Sequence, residues 1–338
     1  MSKPGSDAPE ISFIVPCYNY GRYLPQCVES ILSQEGGWRV EVLLIDDAST
    51  DDSWQAMQRY AGRARLLRNE RNRGHAATLT EGLRAARGEL VARIDPDDRL
   101  RPDFLRRTVP ILRRHPEVGL VYGDVCLIDD DGIETAARCD AVHGGADFKG
   151  NEFIALLEKN FICAPSVLAR REAWLQALPI PEGLAFNDWH FTTMIARRHD
   201  LYYVDAVIAE YRVHPANLHT AIARSGREEE SVLRVLDRYY GEVEAMPELE
   251  RRKRAHRGRI YGAHYADFAR KYFGHGQYAH ARRCYLAAAR HRPSTLLRVE
   301  VLRHLFATLV GERQYERLKS IAKRLAGKSH VPVAKQRT

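Results

Sequence analysis

Several chemistries are missing from this sequence. Its six cysteines, Cys17, Cys27, Cys126, Cys139, Cys163 and Cys284, are scattered, and no two have CxxC spacing. Neither a zinc site nor a disulfide framework is indicated, which fits a reducing compartment. No run approaches the ~20 consecutive apolar residues of a membrane span. The opening MSKPGSDAPE is polar and lacks the apolar stretch of a secretory signal. The expected location is the cytoplasm, with room for peripheral contact at the inner face of a membrane. No paired zinc ligands and no aromatic ribonucleoprotein motif mark a nucleic-acid module. What the chain does have is positive charge: 52 Lys and Arg against 44 Asp and Glu give +8. That suits polyanions such as nucleic acid, an anionic membrane or phosphorylated substrates, without choosing among them. With 338 residues, 45% of them apolar, the chain can bury one large core or two smaller ones.

Strand and helix signals alternate through the first half. ISFIV (11–15), VEVLLID (40–46), ARLLRN (64–69), ELVARID (89–95) and VGLVYGDVCLI (118–128) read as strands. YLPQCVESILSQ, DDSWQAMQRY, HAATLTEGLRAARG and RPDFLRRTVPILRRH read as helices. The alternation predicts an α/β fold, with a mostly parallel sheet flanked by helices. Such sheets bind ligands beyond the carboxyl ends of their strands. Here those ends read PCYN, DDAST and DPDD, all polar and all on one edge. Residues 1–9 are expected to be flexible and 10–219 to form the α/β domain. Residues 220–326 read as a helical region and 327–338 as a basic, flexible tail. Within the helical region, HYADFARKYFGHGQYAHARRCYLAAARHRPS reads as one helix-turn-helix unit, and RRKRAHRGR (251–259) carries six Lys or Arg.

The stretch ELVARIDPDDRL sets three carboxylates, Asp95, Asp97 and Asp98, where an apolar strand stops. Read as extended backbone, it points Asp95 and Asp97 the same way, which suits a hard divalent cation; a solvated turn is the plain alternative. Asp46 and Asp47 end a second strand. They could accept hydrogen bonds from a nucleoside, while the neighbouring Ser49 or Thr50 could simply cap the next helix. Tyr18 offers a flat face for base stacking and Asn19 a polar handle, or both are turn residues. Asp188, beside Trp189 in NDWHF, is either a helix cap or a general base. Arg212 could pair with phosphate, and His214 could ligate metal or be structural.

The order and spacing of ISFIVPCYNYGRYLPQCVESILSQ, VEVLLIDDASTDDS, RNRGHAATLTEGLRAARGELVARIDPDDRL, NDWHF and YRVHPANLH resemble a family 2 inverting glycosyltransferase of the GT-A fold, over roughly residues 10–219. The resemblance implies a nucleotide-sugar donor, a divalent metal (Mg2+ or Mn2+) and an acceptor hydroxyl on a glycan or lipid-linked molecule, with a role in cell-surface polysaccharide or glycoconjugate synthesis. It maps donor binding onto Pro16, Tyr18, Asn19, Asp46, Asp47 and Asp95, with Arg212 beside the phosphates. It maps the metal onto Asp97 and Asp98, with Asp97 the direct ligand and His214 alongside, and the catalytic base onto Asp188. Thr80 stands where such proteins often have Asn, which puts a donor contact there in question. Asn187 stands where many have Glu, and acceptor positioning is expected to differ. Competing functions are a nucleotidyltransferase of similar fold and a non-catalytic polyanion- or RNA-binding protein. Nucleic acid is the disfavoured partner; an anionic membrane surface and a second copy of the chain are further candidates.

Overall fold

The computed structural model describes residues 8–138, 143–181, 183–184, 187–215, 227–311, 314–315 and 317. Residues 1–7, the expected boundary at 219/220 and the tail 327–338 lie outside the described residues. The chain divides into two compact units, Met1–Arg238 and Tyr239–Thr338.

The first unit is built on one sheet. Its strands are β1 (Ile11–Cys17), β2 (Val40–Asp46), β3 (Arg65–Arg68), β4 (Leu90–Arg93), β5 (Arg99–Leu100), β6 (Val118–Ile128), β7 (Glu134–Ala136), β8 (Phe148–Gly150), β9 (Leu168–Arg170) and β10 (Asp200–Arg212). They lie in the order β3-β2-β1-β4-β9-β6-β10-β5, with β7 on β6 and β8 on β10. The long ladders, β1 with β2 and β6 with β10, are parallel, as are β1–β4 and β2–β3. The sheet is more mixed than its sequence suggests. The two- and three-residue pairings of β5, β7, β8 and β9 are antiparallel. Short strands of this kind give too little alternation to be read in advance. Because β9 is antiparallel to both β4 and β6, it leaves β6 and β10 running the same way as β1. The carboxyl ends of β1, β2, β3, β4, β6 and β10 therefore share one edge.

Every residue of β1 is buried, as a strand covered on both faces must be. Helix α1 (Leu24–Leu32) turns Leu24, Cys27, Val28 and Ile31 inward. Helices α2 (Ser53–Gln58), α3 (His75–Ala85) and α4 (Phe104–Arg114) follow, each returning the chain to the next strand. On α3, a Cβ at Gly82 would stand 2.4 Å from Ile14 Cγ2 and 2.8 Å from Ile45 Cδ1. Only glycine lets this helix lie so close on the sheet. Helices α5 (Phe153–Glu158), α6 (Arg171–Gln176) and α7 (Asn187–Ala196) precede β10, and α8 (Arg227–Gly241) follows it.

The second unit contains α9 (Pro247–Gly274), α10 (Tyr278–His291) and α11 (Val299–Val310). The expected helix-turn-helix is α9 and α10. The pair packs closely at Gly258, where a Cβ would meet His291 O at 2.7 Å. The basic run 251–259 is mostly exposed, but one of its cations turns inward. Lys253 is fully buried, and its ammonium donates to Tyr239 O, Glu242 O and Glu244 Oε1 at 2.7–2.8 Å. Arg254 pairs with Glu250, Arg251 with Glu248, and Arg257 lies over Tyr240 and Tyr261. Among the described residues no helix is long and apolar enough to cross a membrane.

Candidate active site

The shared strand edge carries a linked set of polar groups. At the end of β1, Asn19 adopts a left-handed φ of 61°, as does Ala48 (φ 59°) past the end of β2. Asn19 Oδ1 accepts from the backbone N–H of Thr50 at 2.8 Å, and Ser49 Oγ accepts from the N–H of Asn19 at 3.0 Å. The expected polar handle is therefore committed to clasping two loops together. Tyr18 beside it is 41% exposed, leaving a free aromatic face. Pro16 is buried within β1, opposite Ile45.

Asp46 and Asp47 both turn inward. Asp46 is fully buried; Oδ1 accepts from Ser49 N–H at 3.1 Å and Oδ2 faces Arg68 Nε at 3.0 Å. Asp47 accepts from Asn69 Nδ2 (2.7 Å) and from the backbone N–H groups of Arg73 (2.9 Å) and Gly74 (2.8 Å). It thereby holds the loop that starts α3. Asp46 Oδ2 nevertheless has no hydrogen-bond partner among the described residues. Arg68, half-exposed above the Trp54 ring, is the group that Asp46 presents at this rim.

Residues 95–98 form a turn, closed by Asp98 N–H donating to Asp95 O at 3.1 Å, and not the extended segment read from sequence. Proline and aspartate favour the turn, which fans the three carboxylates apart. Asp95 pairs with Arg93 at 3.0 Å and lies 3.4 Å from His75 Nε2. Burial would raise its pKa, but Arg93 and His75 hold it at about 2. Asp97 Oδ2 meets His214 Nε2 at 3.1 Å. Burial, then Asp95, push Asp97 upward despite that partner. Asp98 Oδ1 accepts from Arg212 N–H at 2.9 Å, while its buried Oδ2 has no hydrogen-bond partner among the described residues. Burial, then Asp97 and Asp95, drive Asp98 well above the carboxylate range. His214 is itself fixed between the rings of Tyr20 and Tyr23.

Arg212 departs most from expectation. It has no exposed surface. Its guanidinium donates to Asp97 O, Asp129 O, Asp130 O and Gln26 Oε1 at 2.8–3.1 Å, and lies over Tyr23. It is a strut that shapes the turn, with its donors spent on the protein instead of a phosphate. The antiparallel pairing of β5 with β10, Leu100 opposite Ala209, is what brings residues 97–98 beside it.

Asp188 lies in the first turn of α7, where a carboxylate favours the helix dipole. Asn160 Nδ2 donates to its Oδ2 at 3.1 Å. Asn187 Nδ2 lies 3.2 Å from His75 Nδ1. His75 thus receives the Asn187 amide on one nitrogen and turns the other toward Asp95. Gly74, next to it, is bound by Asp47. Asp95 of the turn and Asn187, the neighbour of Asp188, therefore meet at one histidine, and Asp47 holds the residue before it. Arg93 joins them electrically: burial opposes its charge, but Asp95, then Asp188 and Asp98, raise its pKa above the ordinary value.

Residues 12–175 match the family model described as Glycosyl transferase family 2. The chain carries a family 2 glycosyltransferase domain. The putative glycosyltransferase EpsE of Bacillus subtilis is 34% identical over 154 residues, 44% of this chain and 55% of EpsE. The succinoglycan biosynthesis protein ExoO of Rhizobium meliloti is 39% identical over 111 residues, 32% of each chain. The chain thus spans about half or less of these relatives' lengths. The mannosyltransferase PcManGT of Pyrobaculum calidifontis, solved with GDP-Man and Mn2+, superposes with a TM-score of 0.59 at 19% identity, covering 95% of this chain and 81% of that one. The likeness shows the fold: a mixed α/β sheet flanked by helices, with a helical C-terminal region, as the GT-A resemblance implies.

In this glycosyltransferase domain, His75, Arg93 and Asn160 are site residues that sequence reasoning passed over. His75 lay inside the quoted NRGHAAT segment, but its partners are 20 and 112 residues away. Around them Arg93 Nε, Asn160 Oδ1 and Asn187 Oδ1 are buried without a hydrogen-bond partner among the described residues. Sugar hydroxyls would satisfy such groups. For the metal, no three His, Cys, Asp or Glu converge as a ready cage among the described residues. The turn still fits a hard divalent cation. Burial and repulsion among the carboxylates raise the pKa of Asp97 and Asp98, and Asp98 Oδ2 has no hydrogen-bond partner among the described residues; Mg2+-type sites need only one or two carboxylates and take substrate phosphate oxygens for the rest.

Proposed function

We propose that this chain moves a sugar from a nucleoside-diphosphate sugar to a hydroxyl of a glycan or lipid-linked acceptor, with inversion at the anomeric carbon. The single observation that carries the reading is the convergence of Asp95 and Asn187, the neighbour of Asp188, on His75, with Arg93 paired to Asp95, which supports an acidic cluster on the diphosphate side close to a separate base. Tyr18 offers its exposed ring to the nucleoside base. Asp97 and Asp98, with His214 beside them, would hold Mg2+ or Mn2+, and that ion, when bound, supplies positive charge to the departing diphosphate. Asp188 takes the proton of the acceptor hydroxyl, with Asn160 fixing one of its oxygens. The hydroxyl oxygen bonds to the anomeric carbon as the bond to the diphosphate oxygen breaks on the opposite face, so one displacement inverts the centre.

PcManGT, bound to GDP-Man and Mn2+, supports the donor class and the cation, and ExoO supports a role in polysaccharide synthesis. We place the reaction in the cytoplasm, at the inner face of an anionic membrane where the acceptor is lipid-linked. The test is a screen of nucleotide sugars with Mn2+, reading release of nucleoside diphosphate. One donor is expected to react, and Asp188→Asn is expected to bind that donor while transfer falls ~10^2–10^4-fold. Wild-type transfer rates in that variant remove Asp188 from the mechanism. Pyrophosphate release from a nucleoside triphosphate and a sugar phosphate would make the chain a nucleotidyltransferase instead.

A further inference from the structure

Helix α11 has two apolar faces. Val301, His304, Ala307 and Thr308 are its buried side. On the opposite side Val299, Leu302, Phe306 and Leu309 are 79%, 51%, 51% and 69% exposed. Leu297, in the turn Pro293–Leu297 that leads into the helix, is 82% exposed. At ~100° per residue these helical positions fall within one narrow arc, along a helix ~18 Å long. A helix that has already buried one face and still presents a second apolar stripe has a partner for it. The charges say which. Arg298 borders the stripe on one edge and Arg303 on the other, both exposed. By the same spacing the nearby acid, Glu300, falls on the far side of the helix from the stripe; it acts on Arg270, Tyr285 and His304, the last two of which Arg303 also reaches.

An isologous pairing of two copies through this face would bring like-charged edges together. An anionic bilayer meets the same pattern without conflict: acidic head groups along both edges and an apolar interior beneath the stripe. We propose that this stripe is the chain's contact with an anionic lipid surface. Leu297, Val299, Leu302, Phe306 and Leu309 enter the acyl boundary, and Arg298 and Arg303 pair with lipid phosphates. The assignment rests on the membrane placement proposed above and not on the donor chemistry.

The test sediments the full chain with vesicles of phosphatidylglycerol in phosphatidylcholine, and with phosphatidylcholine alone. Binding to the anionic vesicles is expected to weaken as salt rises. It is expected to fall roughly tenfold or more in Leu302→Glu/Phe306→Glu. The same loss is expected in Leu297→Ser/Leu309→Ser, whose sites lie in the turn and at the helix end; circular dichroism confirms the fold of each. Arg298→Gln/Arg303→Gln is expected to lose the preference for phosphatidylglycerol. If the wild-type chain ignores anionic vesicles, the membrane placement itself fails. If it binds and both apolar variants bind equally well, this surface is wrong while the placement stands. Self-association that those variants abolish, without vesicle binding, gives the face to a second copy and overturns the proposal. Donor turnover in solution is expected to be unchanged in all variants.

Discussion

Replacing Arg212 with methionine keeps most of the side chain's length and deletes every guanidinium donor. In the folded protein those donors reach three backbone carbonyls and Gln26 Oε1 at 2.8–3.1 Å, in a residue with no exposed surface. A buried acceptor left unpaired costs about 1–3 kcal/mol, and such costs do not simply add when one hub serves several groups. Removing one partner from a buried charged network costs about 3–5 kcal/mol. At about 2–4 °C per kcal/mol for a domain of this size, the melting temperature is expected to fall by about 6–20 °C. Arg212→Lys keeps the charge but cannot reach in several directions at once, and is expected to fall in between. Thermal melts followed by circular dichroism, paired with donor affinity measured on the folded protein, decide the matter. A phosphate ligand would behave the opposite way: the melting temperature would hold within a degree or two while donor affinity fell tenfold or more. That result would refute the strut and return Arg212 to the diphosphate.

Asp97→Ala is expected to reduce Mn2+-dependent donor turnover by about 10^2–10^3-fold with the fold intact, and turnover that persists in EDTA would contradict the cation site. Glu152, buried against Tyr122 and His143, has its pKa raised to about 7, chiefly by burial. The folded state then holds this proton more tightly than the unfolded chain, so stability falls as pH rises from ~4.5 to ~7, by up to about 3 kcal/mol. Urea melts of Glu152→Gln are expected to lack that fall; a wild-type stability that rises across the window would mean a charged pair with His143. Gly258→Ala should gain about 1 kcal/mol of helix propensity but must displace His291 O, and urea melts are expected to show a net loss of about 1–2 kcal/mol. A net gain would mean that α9 and α10 do not approach this closely.

The parallel half of the sheet was legible because β1, β2 and β6 are long, apolar and bounded by turn residues. The polar strand ends followed from that order. Side-chain commitments were not legible. Nothing in the sequence says that Asp47 spends its oxygens on the Gly74 loop, or that Arg212 turns inward; both depend on contacts across tens of residues. His75 was hidden for the same reason. A helical His has no distinguishing spacing until β4 and α7 bring Asp95 and Asn187 to it. The run 251–259 is, as such runs usually are, mostly a solvated face, and only the fold shows that Lys253 is the exception, enclosed by Glu244 and Glu250.

The three carboxylates of the turn are not electrically equivalent, and that difference assigns their work. Asp95 already has its cation in Arg93, so it stays ionised without help and is a poor reason for a metal to bind. Burial and the neighbouring carboxylates push Asp97 and Asp98 the other way, despite His214 beside Asp97 and the Arg212 N–H on Asp98. A divalent ion therefore gains most on the His214 side of the turn, away from Arg93. Arg93 is held charged by Asp95 first, and then by Asp188 and Asp98. One turn thus combines a carboxylate that already has its counter-charge with two that would gain from a cation.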